Sequence, residues 1–497
     1  MADRASKIAR SLNVPHLTMR IPWGEPPFPP LPVGDEPIEN IARAARYRVK
    51  FDAMTQCSAS ALAMGHHADD QVETSLMRIA KGTTESGAGG MRRCRRWGMG
   101  VGRAGELGWS GHEGLRRWII RPLLPLSKDR ILATCEAHGL DYVTDQTNFQ
   151  PELTLRNSIR HLLKNPSPSS EDLQDLAKKM PPHIAEGLRA LQTRSSAIKS
   201  VSMDISEGSE LLRASVEVLS RQVDDTDQQV DRHLRRARIP SPVGTFMLST
   251  ASLQTITDSA IRTRMALRIT RYASFHPWGS LRADGNRRSA SFSRIIANLW
   301  HPEPWNVGSF VAGGGVIWIP AVSRDGRVRL LQGPTPVSLH AGDTCGWVTA
   351  RQPPLHRDKM RALGIENPLR INITQHILSA LRSERETLEV LYDCRFLVTL
   401  DLQKMPDDLR ESLLDNPHAT VRIEPNLRWC WPKIIWDDGR AAVTTLSSEV
   451  IDEENALRPW DAHNEDISEW QKSWNRIDDT VQADWICMQW IRPLDAL

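Results

Sequence analysis

Apolar positions in the first third of the chain alternate between two periods. In Ile38–Cys57 they recur at Ile41, Ala45, Val49 and Met54, which is the spacing of one helix face, and Asp35 or Glu36 stands where a cap would. Ser60–Gly65 (SALAMG) is a short apolar run that predicts a buried strand, and Asp69–Lys81 returns to helical spacing before Gly82. Upstream, Ala5–Leu12 reads as the end of a helix and Val14–Ile21 (VPHLTMRI) as a strand. Pro22–Pro37 holds seven prolines in 16 residues and predicts a loop. Helices alternating with strands in this way predict an α/β fold, an open, Rossmann-like parallel sheet.

Gly82–Trp118 is rich in Gly and Arg, lacks periodicity and predicts a surface loop or insertion. Arg121–Leu126 (RPLLPL) leads into a helix at Ser127–His138, with Ser127 as N-cap and Gly139 just past its end. Leu140–Val143 reads as a short extended piece, Leu153–Leu163 as a short helix and Asn165–Ser170 (NPSPSS) as a linker. From 171 to 235 the pattern is helical. Between 277 and 356, Gly, Trp and β-branched residues predict strands such as Gly315–Ile319 and Val328–Leu331. The remainder, 357–497, is mixed and contains eight of the 17 Trp. Three regions are therefore expected: an α/β domain over 1–165, a helical segment over 171–275 and a mixed α/β region over 277–497.

Composition narrows the function classes. Apolar residues at 40% and charged residues at 25% are ordinary for a globular chain and exclude a low-complexity polymer. The most apolar stretch, Val311–Val322, is too short to cross a bilayer and is broken by Gly and Pro, which argues against a membrane protein. Net charge is only +3, but the charge is segregated. Arg92–Arg121 carries eight Arg and two acids, a run suited to phosphates, whereas Asp437–Leu497 carries 14 acids and five Lys/Arg. Seven Cys, never in a C-x-x-C pair, argue against a disulfide framework, a cysteine zinc site and a thioredoxin-like pair, and fit a reducing compartment, cytoplasmic or mitochondrial. Arg4, Lys7 and Arg10 in Ala2–Leu12 give an amphipathic helix whose composition is also that of a mitochondrial presequence.

The chemistry concentrates in Gly65–Thr74 (GHHADDQVET), at a strand-to-helix turn. In open α/β sheets ligands sit beyond the carboxyl ends of strands, beside helix N-termini. His66 and Asp70 are four apart and Asp70 and Glu73 three apart, so they share a helical face. A histidine with two carboxylates suits a phosphate-bound Mg²⁺ or an ammonium group. The competing reading is an N-capping Asp with surface acids in a first turn. Arg156 and Arg160, also four apart, suit a phosphate, as do Arg43 and Arg46, and each pair is equally well read as a solvated face.

Taken in order, ARAARYRVKF (42–51), GHHADDQVETSLMRIAKGT (65–83), GAGGM (87–91), RPLLPLSKDRI (121–131), and DQTN with RNSIRHLL (145–163) resemble the tRNA(Ile)-lysidine synthetase family of PP-loop ATPases. PHIAEGLRALQ (182–192) resembles the start of the family's following helical segment. The resemblance implies ATP-dependent ligation of free L-lysine to the wobble cytidine of a tRNA(Ile) with a CAU anticodon, through an adenylated cytidine. It implies ATP, Mg²⁺ and tRNA(Ile) as ligands and no membrane, and leaves the oligomeric state open. By matched position, His66, Asp70 and Glu73 would form the nucleotide, Mg²⁺ and lysine shell, with Asp70 on the metal. Arg46 or Arg43 would take a phosphate and Arg156 would face the nucleotide or substrate. Arg92, Arg93, Arg95, Arg96 and Arg160 would meet tRNA.

One departure changes the expectation. The family's phosphate loop, Ser-Gly-Gly-x-Asp-Ser, occurs nowhere in these 497 residues, and Met1 falls where the family has already passed it. That loop's backbone N–H groups cradle diphosphate and its Asp holds the metal. The chain as written is therefore expected to lack its main ATP anchor and a central strand, to be inactive, and to fold poorly in its first 165 residues. Three readings compete: a lysidine-type ligase whose sequence begins too late, a non-catalytic tRNA-binding descendant, and another PP-loop enzyme such as a tRNA thiolase. A thiolase would show paired cysteines, and a binding module would lose the acids at 70 and 73. Asp70 and Glu73 are both present, which favours the ligase.

Overall fold

The structure is a computed structural model that describes residues 2–33, 38–100, 109–165, 168–278, 289–324, 327–331, 338–426, 429–440, 443–448, 450–451 and 481–495. The cap expected at Asp35 or Glu36 and much of the acidic stretch after 437 lie outside these residues. The chain divides into two compact units, one of Met1–Arg96 with Arg116–Thr226, the other of Trp97–Leu115 with Asp227–Ala496. These boundaries differ from the three expected regions. A single 30-residue helix, Gly208–Ala237, runs through the division, and its continuous helical pattern hides the change of partner.

The first unit contains α1 (Ala2–Ser11), α2 (Ile38–Gln56), β1 (Ala61–Ala63), α3 (Ala68–Ala80), α4 (Glu85–Ala88) and β2 (Cys94–Arg96). After α5 (Glu113–Arg116) come β3 (Trp118–Ile120), α6 (Lys128–Ala137), α7 (Leu155–Leu162), α8 (Ser170–Lys179), α9 (Pro182–Arg194) and α10 (Gly208–Ala237). β1 pairs β3 in parallel, with Leu62 opposite Ile119, and β2 pairs β3 antiparallel, so the sheet is mixed and runs β1-β3-β2. Among the described residues no strand covers the other edge of β1, and Ala61 and Ala63 are exposed.

The core of this unit is helical. Val72, Leu76 and Ile79 of α3 pack in one cluster with Ile159 and Leu162 of α7, Ile184, Leu188 and Leu191 of α9, and Leu212, Val216 and Leu219 of α10. These spacings of three and four residues put one apolar stripe of each helix inward. The GAGGM stretch is tied to α3 by side chains: Gln71 donates to the Met91 carbonyl and accepts from the Met91 N–H, and Arg78 donates to the Gly87 and Gly90 carbonyls. Gly90 has φ +75°, and a Cβ there would lie 2.6 Å from Gln71 Oε1, so only glycine fits.

Two expectations are corrected. Val14–Ile21 forms no strand: Pro15 removes a donor, Val14 and Leu17 are exposed, and nothing pairs with the segment. Gly82–Trp118 is not one loop, since it holds α4, β2 and α5, elements too short to display a period.

The second unit is built on three sheets. The first has the order β4 (Arg238–Ile239), β5 (Phe246–Ser249), β9 (Thr344–Arg351), β7 (Val316–Arg324) and β6 (Phe310–Val311), with β8 (Arg327–Leu330) pairing β7. The second has the order β10 (Ile371–Asn372), β13 (Thr420–Pro425), β14 (Pro432–Asp437), β15 (Val443–Ser447) and β17 (Val481–Gln482). The third has β11 (Thr387–Tyr392), β12 (Phe396–Asp401), β18 (Ile486–Trp490) and β16 (Val450–Ile451). Aromatic rings fill the core: Tyr272 and Phe396 each lie 5.0 Å from the Trp490 ring centre. Within residues 97–115 Gly98 N–H donates to the Gly114 carbonyl, and Met99 N–H joins the segment to this unit by donating to the Trp278 carbonyl. No described helix is long and apolar enough to cross a membrane.

Candidate functional site

The site lies where β1 hands over to α3, in the first unit. Met64 N–H still bonds the Ile120 carbonyl, extending the parallel ladder, and the chain then turns through Gly65, His66 and His67 into α3. His67 is the N-cap residue, in extended conformation, and its N–H donates to Asp70 Oδ2 at 3.1 Å. Its ring lies between two carboxylates, with Nδ1 3.4 Å from Asp69 and Nε2 3.4 Å from Asp70. Burial opposes the imidazolium, but the Asp69 contact and the charges of Asp70, Asp69 and Glu73 raise the His67 pKa. Burial also opposes ionisation of Asp69, yet His67, the Lys128 N–H and Arg213 hold its carboxyl well below the usual carboxylate range.

His66 faces different neighbours. Burial and the cations Arg121, Arg156 and Arg43 push its pKa down against Asp70, so the ring is neutral near pH 7, and its buried Nδ1 has no hydrogen-bond partner. Arg156, on α7, donates to Thr74 Oγ1 at 3.1 Å, while its buried Nε is 3.7 Å from Glu73 and makes no hydrogen bond. Arg121 donates to the Arg92 carbonyl at 2.8 Å and leaves its own buried Nε without a hydrogen bond. Buried polar groups in folded proteins are almost always satisfied. Unsatisfied nitrogens gathered near one helix N-terminus suit an anionic or polar ligand.

Arg160 and Glu73 form the best-defined pair. Arg160 Nε and Nη2 donate to the two Glu73 oxygens at 2.7 and 2.8 Å, and Nη1 donates to Asn148 Oδ1 at 2.9 Å. Glu73 is 3% exposed; burial pushes its carboxyl up, and Arg160 offsets part of that. Arg160, expected among the tRNA-facing arginines, is thus turned inward and fastens α7 to α3. Asp145 caps the following turn by accepting from the Thr147 N–H, so the DQTN stretch presents Asn148 to Arg160.

Beside this lies a cationic pocket that the sequence reading did not assemble. Burial alone would push the Tyr47 phenol up, yet Arg43, Arg95, Arg121 and Lys50 together hold it below its ordinary value. Arg43 Nη2 reaches the Tyr47 hydroxyl at 3.4 Å. Burial lowers the pKa of Lys50, Arg95 and Arg121, and the leading charges on each are other cations and this phenol. Of the two arginines proposed for phosphate, Arg43 is the one whose charge acts on His66, Tyr47 and Arg121; the charge of Arg46 acts on Lys50. Helix α2, β2 and β3 contribute to this pocket from separate parts of the chain. Its members Tyr47 and Arg121 stand in the quoted motifs, which was the available signal.

The basic run does not form one face. Successive side chains on β2 point to opposite sides: Arg95 lies against Tyr47, and Arg96 stacks 4.7 Å from the Trp118 ring centre. Arg93 is exposed, and Arg92 lies 4.0 Å from Asp224. As a place for Mg²⁺ the site offers Asp70, whose Oδ2 serves the helix cap and whose Oδ1 is 3.8 Å from Arg160. One carboxylate with phosphate oxygens is the donor set Mg²⁺ commonly takes, so the residues fit the ion as a partner of nucleotide phosphates.

Residues 4–166 match the family of PP-loop domains, a Rossmann-like ATP-binding fold. The chain is 36% identical over 155 residues to a tRNA(Ile)-lysidine synthase of Bacillus subtilis (strain 168), covering 31% of this chain and 29% of that protein. It is 29% identical over 206 residues to a tRNA(Ile)-lysidine synthase of Methylobacterium nodulans, covering 41% and 51% of the two chains. To that of a Bradyrhizobium species it is 34% identical over 172 residues, covering 34% and 40%. The chain thus spans between 29% and 51% of the length of these curated relatives.

Proposed function

We propose that this chain, whose residues 4–166 belong to the PP-loop family of ATP-binding domains, serves as a tRNA(Ile)-lysidine synthase. The reading is carried by one observation: His66 Nδ1, Arg121 Nε and Arg156 Nε are buried without hydrogen-bond partners around the α3 N-terminus. In this reaction O2 of the wobble cytidine attacks the α-phosphorus of ATP and diphosphate leaves. The ε-amine of free lysine then attacks C2, and the C2–O2 bond breaks with AMP as leaving group. The amine must first lose a proton, and its second proton leaves as the C–N bond forms. A carbonyl oxygen is a poor leaving group and AMP a good one, which is what the ATP provides.

Each side chain then has a role. Arg43 and Arg121 meet phosphate oxygens, and Arg156 faces the nucleotide. Asp70 would hold Mg²⁺ together with phosphate oxygens, and the ion would neutralise phosphate charge when bound. His66, its pKa lowered by burial and by its cationic neighbours, is the group able to take the ammonium proton. Glu73 is a positioning residue that acts through Arg160. Arg93 lies exposed and suits a tRNA phosphate.

The 497 residues contain no Ser-Gly-Gly-x-Asp-Ser cradle, so the chain as written is proposed to release no AMP. The test supplies that cradle: the chain is expressed behind a strand carrying the family's phosphate loop and given ATP, lysine and tRNA(Ile). Lysine-dependent AMP release is expected, with Asp70→Asn abolishing it while tRNA binding persists. AMP release that ignores lysine, or that survives Asp70→Asn, would overturn the reading.

A further inference from the structure

The second unit carries a group of side chains that the lysidine reaction does not use. His112 and Glu113 lie in the 97–115 segment, and Glu389 projects from β11. His112 Nε2 is 3.1 Å from Glu389 Oε2 and 3.3 Å from Glu113 Oε1. One ligand atom from each of the three lies within 4.8 Å of the others. Among the described residues it is the only such group of three metal-ligating side chains.

The second observation concerns the imidazole. The His112 side chain is 15% exposed and its Nε2 is buried, yet that nitrogen makes no hydrogen bond to either carboxylate. Nε2 instead faces the space between the two carboxylates, aimed at neither oxygen. Zinc–nitrogen bonds of about 2.0–2.1 Å and zinc–oxygen bonds of about 2.0–2.2 Å give a tetrahedron with edges of roughly 3.3–3.5 Å. The observed 3.1 and 3.3 Å separations approach those edges.

We propose that His112, Glu113 and Glu389 form a zinc site with three protein ligands and water in the fourth position. An imidazole donor selects zinc over magnesium or calcium, which take oxygen sets. Glu113 and Glu389 are 46% and 43% exposed in their side chains, so the ion has an entry path and room for water. No cysteine takes part. The site fastens the 97–115 segment to β11 within the unit and is separate from any Mg²⁺ that accompanies nucleotide.

The test uses the whole chain, dialysed against chelator and titrated with Zn²⁺ alone by calorimetry, with thermal unfolding in parallel. The wild type is expected to bind one equivalent more than His112→Ala or Glu389→Gln. Each variant should weaken that site at least about tenfold and lose the zinc-dependent rise in Tm. Co²⁺ in the site should give visible absorption without a thiolate charge-transfer band, and Arg43→Ala should leave all of this unchanged. Equal stoichiometry and equal thermal protection in wild type and both variants would overturn the proposal. So would a Co²⁺ spectrum that only cysteine substitution removes.

Discussion

Two arginine clusters, one in each unit, handle positive charge in opposite ways. In the second unit Arg395, in the turn between β11 and β12, and Arg351, at the end of β9, both donate to Asp393 in that turn, at 2.6 and 2.7 Å. Arg492, 1% exposed, donates to the carbonyls of Arg271 and Cys394. Each guanidinium there has an internal counter-charge or backbone acceptor. In the first unit Arg43, Arg95, Arg121 and Lys50 gather around a phenol, and their strongest mutual influence is repulsion. Matched charge builds a core. In the first cluster no carboxylate is among the leading charges on the cations, and that contrast locates function more sharply than either cluster alone.

The largest expected effect breaks the matched side. Asp393→Ala leaves Arg351 and Arg395 buried beside each other, and removing one partner of a buried ion pair costs about 3–5 kcal/mol. Denaturant unfolding followed by tryptophan fluorescence should show the second unit's transition shifting by that amount; a loss below about 1 kcal/mol would erase the contrast. Next, Arg160→Lys removes the two-pronged contact with Glu73, since an ammonium cannot match a carboxylate with two parallel bonds. Unfolding of the first unit should come about 1–3 kcal/mol earlier, and nucleotide binding should weaken with it.

The unmatched side predicts the reverse balance. Arg43→Ala should leave stability within about 0.5 kcal/mol, as for an exposed residue, while phosphate affinity falls about tenfold, the loss of one charge-assisted hydrogen bond. Binding of ATP measured by calorimetry, alongside the Tm, separates the two. An unchanged affinity would mean that this pocket is not a phosphate site.

The smallest effect is a pH dependence. The His67 pKa is raised in the fold, so its contribution is fully present below pH about 6.5 and is lost as pH rises through the folded value. Asp69 is shifted the other way, so its contribution is present above its unfolded value and is lost only in strong acid. His66, whose pKa is lowered, has the opposite slope below about pH 6.5, so His67 sets the slope between about pH 6.5 and 8. The first unit's Tm should decline across that window, and Asp69→Asn should flatten the decline. A Tm that rises with pH there would contradict the His67–Asp69 contact.

The helix carrying the site was legible because its signals are local: Val72, Leu76 and Ile79 mark the buried stripe, and Gly65–Asp70 mark its N-terminus. The bond between Arg160 and Glu73 was not, because two arginines four apart look the same whether they face water or a carboxylate 87 residues away. The pocket at Tyr47 was hidden for a related reason. Its cations arrive from α2, β2 and β3, and strands three residues long show no alternation to betray them. In the second unit β7 and β8 were readable from β-branched runs, whereas the role of residues 97–115 depends on contacts more than a hundred positions later.

That excursion of residues 97–115 has a consequence for how the protein is made. The second unit is discontinuous, and Met99 bonds to Trp278. On a ribosome adding about 5–20 residues per second, Met99 emerges roughly 10–35 s before its partner. For that interval the buried Trp97 and Met99 have no place to go. A nascent chain in this state is a natural client for holdases, and synonymous codons between 99 and 278 become a control on yield. A gene fragment starting at 227, however neatly it follows the contact boundary, would encode a second unit missing one of its own pieces.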